Sequence, residues 1–445
     1  MRWRTLEAAT IAACASRSPH FRQLSLLHVS GARNWGAAIS LAQSEAESPY
    51  AWFRLAASLA LMTLGGAGMY IVSVALPLIQ TEFGVGRSDA SLPYSLTMIG
   101  FGLGGILMGR LADRFGVIVP VLIGTFSLGL GFIAAGFSGS LWQFALVQGL
   151  LIGFFGCSGT FAPLVADASL WFNRRRGIAV AICASGNYLA GALWPQVVQH
   201  FFDSAGWRRT YIGVGVFCIA AMLPLTLMLR QRPPALAATG PGSAASGAPQ
   251  DLGLRPALLL GLLCTAGVAC CVAMSMPQVH LVALCNDMGF AAARGAEMLS
   301  LMLGFGIVSR LVSGWICDRI GGLRTLLLGS ALQGVALILF LPADGLASLY
   351  VVSALFGLFQ GGIVPSYAII VREYFSPKVA GTTVSIVLTS TLFGMALGGW
   401  LSGLIFDWTG SYRAAFVNGI AWNLLNLTIA GALLLRARKR IYSTA

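Results

Sequence analysis

Residues Gly109 to Gly116 read GRLADRFG, and the chain returns to this pattern, loosened, as GWICDRIGG at Gly314 to Gly322. Each copy lies where one apolar segment of membrane-spanning length ends and the next begins. Glycine lets the backbone bend sharply. Asp113 and Asp318 are placed to cap a helix N-terminus or to pair with a neighbouring Arg. Such a turn written twice, about 205 residues apart, predicts a six-helix module built twice.

Lipid must be the solvent for this chain. Hydrophobic residues make up 57% of it and charged ones 10%, where a soluble domain carries about 25% charged. The 55 glycines fit helices that approach closely in a bilayer. The 445 residues leave room for about twelve spans of roughly 20 residues each. The net charge of +13 is not gathered into a basic stripe, so nucleic acid is not expected as a partner. The nine cysteines show neither CxxC nor Cys/His metal spacing and read as small apolar packing residues. There is no phosphate loop, no GxSxG and no metal constellation. No enzyme, cofactor or metal site is expected.

The expected fold is an all-α integral membrane protein with twelve transmembrane helices in two pseudo-symmetric six-helix bundles. Residues 1–50 are Arg-rich and acid-poor up to Ser44 and too polar to span. They read as a disordered extension, a start placed too early, or a transit-like segment. The first bundle is expected at 51–230, a Pro/Gly/Ala/Ser linker at 231–254, the second bundle at 255–436 and a tail at 437–445. Basic residues favour the loop set holding Arg110, Arg114, Arg319 and Arg324 over the set holding Arg87 and Arg294 by about three to one. Both termini and the linker are therefore expected in the cytoplasm. A second repeat supports the two-fold architecture: Phe202, Asp203, Gly206 and Arg209 recur at one offset as Phe406, Asp407, Gly410 and Arg413.

GRLADRFG and its copy resemble the signature loops of the major facilitator superfamily, and the resemblance runs from about Trp52 to Arg436. WFNRRRGIAVAICASGNYLAG, Trp171 to Gly191, resembles the fifth-helix signature of monocarboxylate porters. MPQVHLVALCNDMG, Met276 to Gly289, is similar to the bacterial monocarboxylate and oxalate/formate branch. The resemblance implies alternating access by two rocking halves. It also implies that Arg310 holds a substrate carboxylate. SPYAWF stands where animal monocarboxylate porters carry an acidic-Gly-Trp signature, and Gly306 stands where a polar residue often precedes the arginine. Helix 11 has no Lys, which argues against a dicarboxylate.

Arg310 also stands out on physical grounds. It lies eight residues before Asp318, about 12 Å into the bilayer and near the midplane of a core about 30 Å thick. An arginine there costs several kcal/mol unless it faces a wet cavity or a partner. His280 is a candidate for substrate or proton binding. Tyr70, Tyr94, Asn187 and Tyr367 are weaker cavity candidates. Gly109, Asp113, Arg114, Gly116, Gly314, Asp318 and Arg319 are expected to gate, holding the cytoplasmic ends together when the protein is open to the outside. The expected function is secondary transport of a small monocarboxylate-like anion with a proton, by a monomer in the bacterial inner membrane. Efflux of apolar compounds and ligand sensing are the alternatives.

Overall fold

The computed structural model describes residues 47–172, 175–231 and 252–444. The expected extension and linker lie almost wholly outside these residues, as does part of the Arg174 to Arg176 triplet. Among the described residues twelve helices are long and apolar enough to cross a membrane. They are α1 Pro49–Phe83, α2 Arg87–Phe115, α3 Ile118–Gly136, α4 Leu141–Trp171, α5 Gly177–Ala205, α6 Trp207–Leu227, α7 Pro256–Asp287, α8 Ala292–Ile320, α9 Gly322–Phe340, α10 Leu346–Tyr374, α11 Val379–Thr409 and α12 Tyr412–Arg438. The protein is a multi-pass integral membrane protein. The helix that begins at Tyr412 continues to Thr444 and includes the basic run after Leu435. Arg and Lys are good helix formers, and nothing in that run stops the helix.

Left-handed glycines mark the repeat. Gly84 and Gly289 end α1 and α7, Gly116 and Gly321 end α2 and α8, and Gly206 and Gly410 end α5 and α11. Each has φ between 62° and 84°, a region costly for any residue with a Cβ. Members of each pair are 204 or 205 residues apart, the spacing read from the motifs.

Three spans are not continuous helices. α1 breaks at Gly66, between Pro49–Gly65 and Ala67–Phe83. Adjacent Gly65 and Gly66 weaken the helix there. α10 breaks at Gly361 and Gly362, between Leu346–Gln360 and Ile363–Tyr374. α4 winds as a π-helix over Gln148–Cys157 and breaks before Ala162. The breaks in α1 and α4 meet: a Cβ on Gly65 would stand 2.0 Å from the Thr160 hydroxyl.

The first six helices meet the last six along α2 with α11, α5 with α8, and the second part of α1 with α7. The Gly116 and Gly321 turns lie at one end of the bundle, the turn end; the start of α2 lies at the other, the Arg87 end. Contacts between the halves run from the Arg87 end to mid-height. A Cβ on Gly399 would touch Tyr94 at 3.0 Å, and one on Gly102 would touch Leu392 at 3.4 Å. Towards the turn end, a Cβ on Gly105, Gly109, Gly177, Gly314 or Gly381 would meet nothing within 4 Å. The halves are therefore joined at the Arg87 end and splayed at the turn end.

One ion pair is fully enclosed within the first half. Arg54 of α1 holds Asp167 of α4 through two hydrogen bonds of 2.8 and 2.9 Å, with the side chains 2% and 4% exposed. The same guanidinium donates to the Gln231 carbonyl and lies 4.7 Å from the centre of the Trp171 ring. This pair ties the entry of α1 to the end of α4 and to the chain leaving α6.

Candidate functional site: an arginine between α5 and α8

Arg310 projects from α8 into the seam with α5. Its Nη1 donates to the Ala184 carbonyl at 3.0 Å, and its guanidinium carbon lies 4.6 Å from the centre of the Tyr188 ring. Its Nε is buried with no partner. Among the described residues no carboxylate pairs with it. One edge of the guanidinium, Nε with Nη2, is therefore unused, and that edge matches the two oxygens of a carboxylate. The position of the guanidinium over an aromatic ring partly offsets its desolvation.

Small residues make this seat. A Cβ on Gly306, one turn before Arg310, would fall 2.4 Å from the Tyr188 ring. The departure from the expected polar residue at 306 therefore has a steric cause: the ring needs that space. Gly191, on α5, brings three helices together. A Cβ there would stand 2.2 Å from Leu303 of α8 and 2.9 Å from Tyr70 of α1. Tyr70 and Tyr188 thus converge on the α5–α8 seam, and their hydroxyls make no hydrogen bond among the described residues. The Asn187 amide oxygen lies 3.4 Å from where a Cβ on Gly66 would be, beside the break in α1. Tyr94 stands against Gly399 of α11, on the α2–α11 seam.

The other two candidates lie elsewhere. His280 has no exposed surface. Its Nε2 is 2.7 Å from the Gly399 carbonyl and its Nδ1 3.1 Å from the Tyr412 hydroxyl. The carbonyl only accepts, so Nε2 carries the proton and Nδ1 accepts from the tyrosine. Both ring nitrogens are occupied in joining α7, α11 and α12. Tyr367 is equally enclosed: its hydroxyl donates to Asn426, whose amide reaches Ser330 at 2.7 Å, inside the second bundle.

Among the polar residues that sequence reasoning missed, three stand out. Tyr188 is one. The others are Gln278 of α7, whose Nε2 donates to the amide oxygen of Gln360 of α10 at 3.1 Å, and Gln360 itself, whose Nε2 is buried with no partner. A buried glutamine in an apolar span is itself a signal. Gln278 follows Pro277 and Gln360 precedes Gly361 and Gly362, both marks of an irregular backbone. That break packs on α8 beside the site: a Cβ on Gly361 would stand 2.4 Å from the Gly306 carbonyl.

The Arg87 end is shut by a cluster that crosses between the halves. Arg87 Nη2 lies 2.9 and 3.1 Å from the two carboxylate oxygens of Asp287 at the end of α7. The guanidinium carbon stands 4.8 Å from the centre of the Phe406 ring and 5.7 Å from that of Tyr412. Asp407 of α11 accepts from the backbone N–H groups of Arg87 and Ser88 at 2.7 and 2.8 Å, and from the Ser88 hydroxyl at 2.6 Å. It thus caps α2 from the opposite half. Its repeat counterpart, Asp203, accepts instead from Gln199 on its own helix.

At the turn end the expected gating charges are apart. Asp113, Arg114, Asp318 and Arg319 are exposed and form no ion pair among the described residues. Arg114 and Arg319 lie over the rings of Phe115 and Trp315 on their own helices. Asp318 was expected to cap a helix or to pair with an Arg; the Gly322 N–H at the start of α9 instead goes to Glu373 of α10 at 2.9 Å.

The family model of the Major Facilitator Superfamily matches residues 58–346 and 262–444. The chain belongs to this superfamily. It is a membrane transporter and not an enzyme. Monocarboxylate transporter 13 of Bos taurus is 30% identical over 316 residues, covering 69% of this chain and 71% of the relative. The MFS-type transporter YcxA of Bacillus subtilis is 26% identical over 349 residues, covering 76% and 83%. Among solved structures, a peptide transporter in complex with sulfate superposes with a TM-score of 0.70 at 16% identity, covering 90% of this chain and 98% of that one. An inward-facing, occupied bacterial homologue of the lysosomal transporter Spinster gives 0.65 at 17% identity, covering 88% and 98%. At these identities the structures speak for the superfamily fold alone.

Proposed function

We infer that this transporter carries a small monocarboxylate together with a proton, its carboxylate seated on Arg310. The observation that carries the reading is the buried, unpartnered Nε edge of a half-buried arginine that no carboxylate pairs with among the described residues. A single positive charge at mid-height suits a monoanion. A second carboxylate on the substrate would lack a cation there, among the described residues. The name of the bovine relative points the same way. A proton moving with the anion makes the cargo electrically neutral, so the membrane potential does not oppose its uptake.

Transport proceeds by rocking of the halves, one end opening as the other closes. The anion neutralises Arg310 and so lowers the cost of enclosing the site, which lets binding drive the switch. The excess of basic residues at the turn end supports a cytoplasmic position for that end and both termini. The splayed form is then the inward-open one, and the Arg87 cluster is the outer gate. A monomer in the bacterial inner membrane holds every residue the site uses. The test is uptake of labelled lactate, pyruvate, formate and oxalate into proteoliposomes, with and without an inward proton gradient. Gradient-driven uptake of the monocarboxylates and not of oxalate is expected. Gradient-driven export of apolar dyes with no acid uptake would contradict the reading.

A further inference from the structure

An apolar groove of about 580 Å³ runs down the outer face of the first half, between α1, α5 and α6. Its walls include Leu193, Trp194, Val197, Phe201 and Phe217, with Thr63 at its inner end. Leu193, Val197, Phe201 and Phe217 are 45–52% exposed in helices that span the membrane, so the groove opens to lipid rather than to the central seam. From Leu193 to Ala205 the α5 wall rises about 18 Å, roughly the depth of one leaflet.

One end of the groove is charged. Arg209 lines it, is exposed, and makes no hydrogen bond or ion pair among the described residues. Its neighbour Arg208 is engaged, bonded to Glu82 and to the carbonyls of Gly136 and Ser138. Its repeat counterpart, Arg413, is paired with Asp344. The first half thus leaves unpaired a cation that the second half neutralises, and sets it at the mouth of an apolar slot. Trp194 fixes the slot's inner wall by donating its indole N–H to the Thr63 carbonyl at 3.0 Å.

We propose that this groove is a binding site for an anionic phospholipid. One acyl chain lies against Trp194 and Phe217, and the headgroup phosphate meets Arg209. A cation at the membrane surface attracts an anionic lipid strongly enough for about fivefold selectivity over a zwitterionic one. The site does not depend on which solute the central arginine carries.

Trp194 supplies the probe. The full-length protein is reconstituted into vesicles with dibrominated phosphatidylglycerol or dibrominated phosphatidylcholine, and the emission of Trp194 is taken as the difference from Trp194→Phe. Quenching by the brominated anionic lipid is expected at about one-fifth the mole fraction needed by the zwitterionic one. Arg209→Gln should abolish that preference. Gly213→Leu should reduce quenching by both lipids, because Gly213 lines the groove and a side chain there grows into open space. Native mass spectrometry of the detergent-purified wild type and Arg209→Gln gives a second readout, with anionic phospholipid retained only by the wild type. Equal quenching by the two headgroups, a preference that survives Arg209→Gln, or equal lipid retention by both proteins would overturn the proposal.

Discussion

The guanidinium of Arg87, at the start of α2, and the carboxylate of Asp287, at the end of α7, close one end of the transporter with a two-oxygen contact of 2.9 and 3.1 Å. The two residues belong to opposite halves, so the bond cannot survive an opening at that end. Arg87→Ala should therefore shift the population towards the alternative state. A cysteine at Ser95, whose hydroxyl donates across the same seam to the Ala396 carbonyl at 2.7 Å, reports it. Labelling of Ser95→Cys by a membrane-impermeant maleimide should rise several-fold in the Arg87→Ala background. It should fall back when the charges are exchanged as Arg87→Asp with Asp287→Arg. Unchanged labelling would mean that the Asp407 cap alone holds the end shut.

The Arg54–Asp167 pair is expected to be structural. Removing one member of an enclosed ion pair costs about 3–5 kcal/mol, because the other charge is left buried. Arg54→Leu and Asp167→Leu should each lower the apparent melting temperature in detergent. The double variant should melt above at least one of the singles. Additive losses would show that the packing of Arg54 on Trp171, and not the charge pairing, is what the protein needs.

Tyr188 holds the guanidinium of Arg310 through its ring, not its hydroxyl. Tyr188→Phe should leave the KM for the transported solute within about twofold. Tyr188→Leu should raise it by about three- to tenfold, the worth of a partly desolvated cation–π contact of about 1 kcal/mol. The opposite order would assign the role to the hydroxyl.

Glycines packed inside one half and glycines at the open turn end should respond differently. A Cβ on Gly104 would stand 1.9 Å from the Phe154 carbonyl, and one on Gly357 1.9 Å from the Met302 carbonyl, so Gly104→Ala and Gly357→Ala should impair folding. Gly109→Ala and Gly314→Ala meet open space in this conformation and should leave thermal stability unchanged. If the turn end closes during transport, these two variants should nonetheless slow uptake. Full uptake by both would remove Gly109 and Gly314 from the gate.

Much of this architecture was readable from the sequence because it lies at helix ends. Gly116 and Gly206 announce their turns locally, and the recurrence of Asp203 as Asp407 exposes the repeat. The depth of Arg310 followed from counting back from Asp318. What faces what was not readable. In helices apolar on every side, the sequence pattern does not fix rotation about the axis. Arg54 and Asp167 stand 113 residues apart, and His280 meets Gly399 and Tyr412 only after three helices have packed. The break in α1 at Gly66 follows from a Gly pair, but α2 carries Gly104 and Gly105 and stays continuous, so a Gly pair alone does not decide a break.

The most direct test of the account is uptake of labelled lactate and pyruvate by proteoliposomes holding wild type, Arg310→Lys or Arg310→Ala. A charge-assisted two-point bond to a carboxylate contributes up to about 3 kcal/mol. Arg310→Ala should therefore lose about a hundredfold in transport efficiency. Arg310→Lys, which keeps the charge but not the fork, should fall between. Uptake by Arg310→Ala at the wild-type rate and KM would contradict the account and make this arginine part of the α5–α8 packing alone.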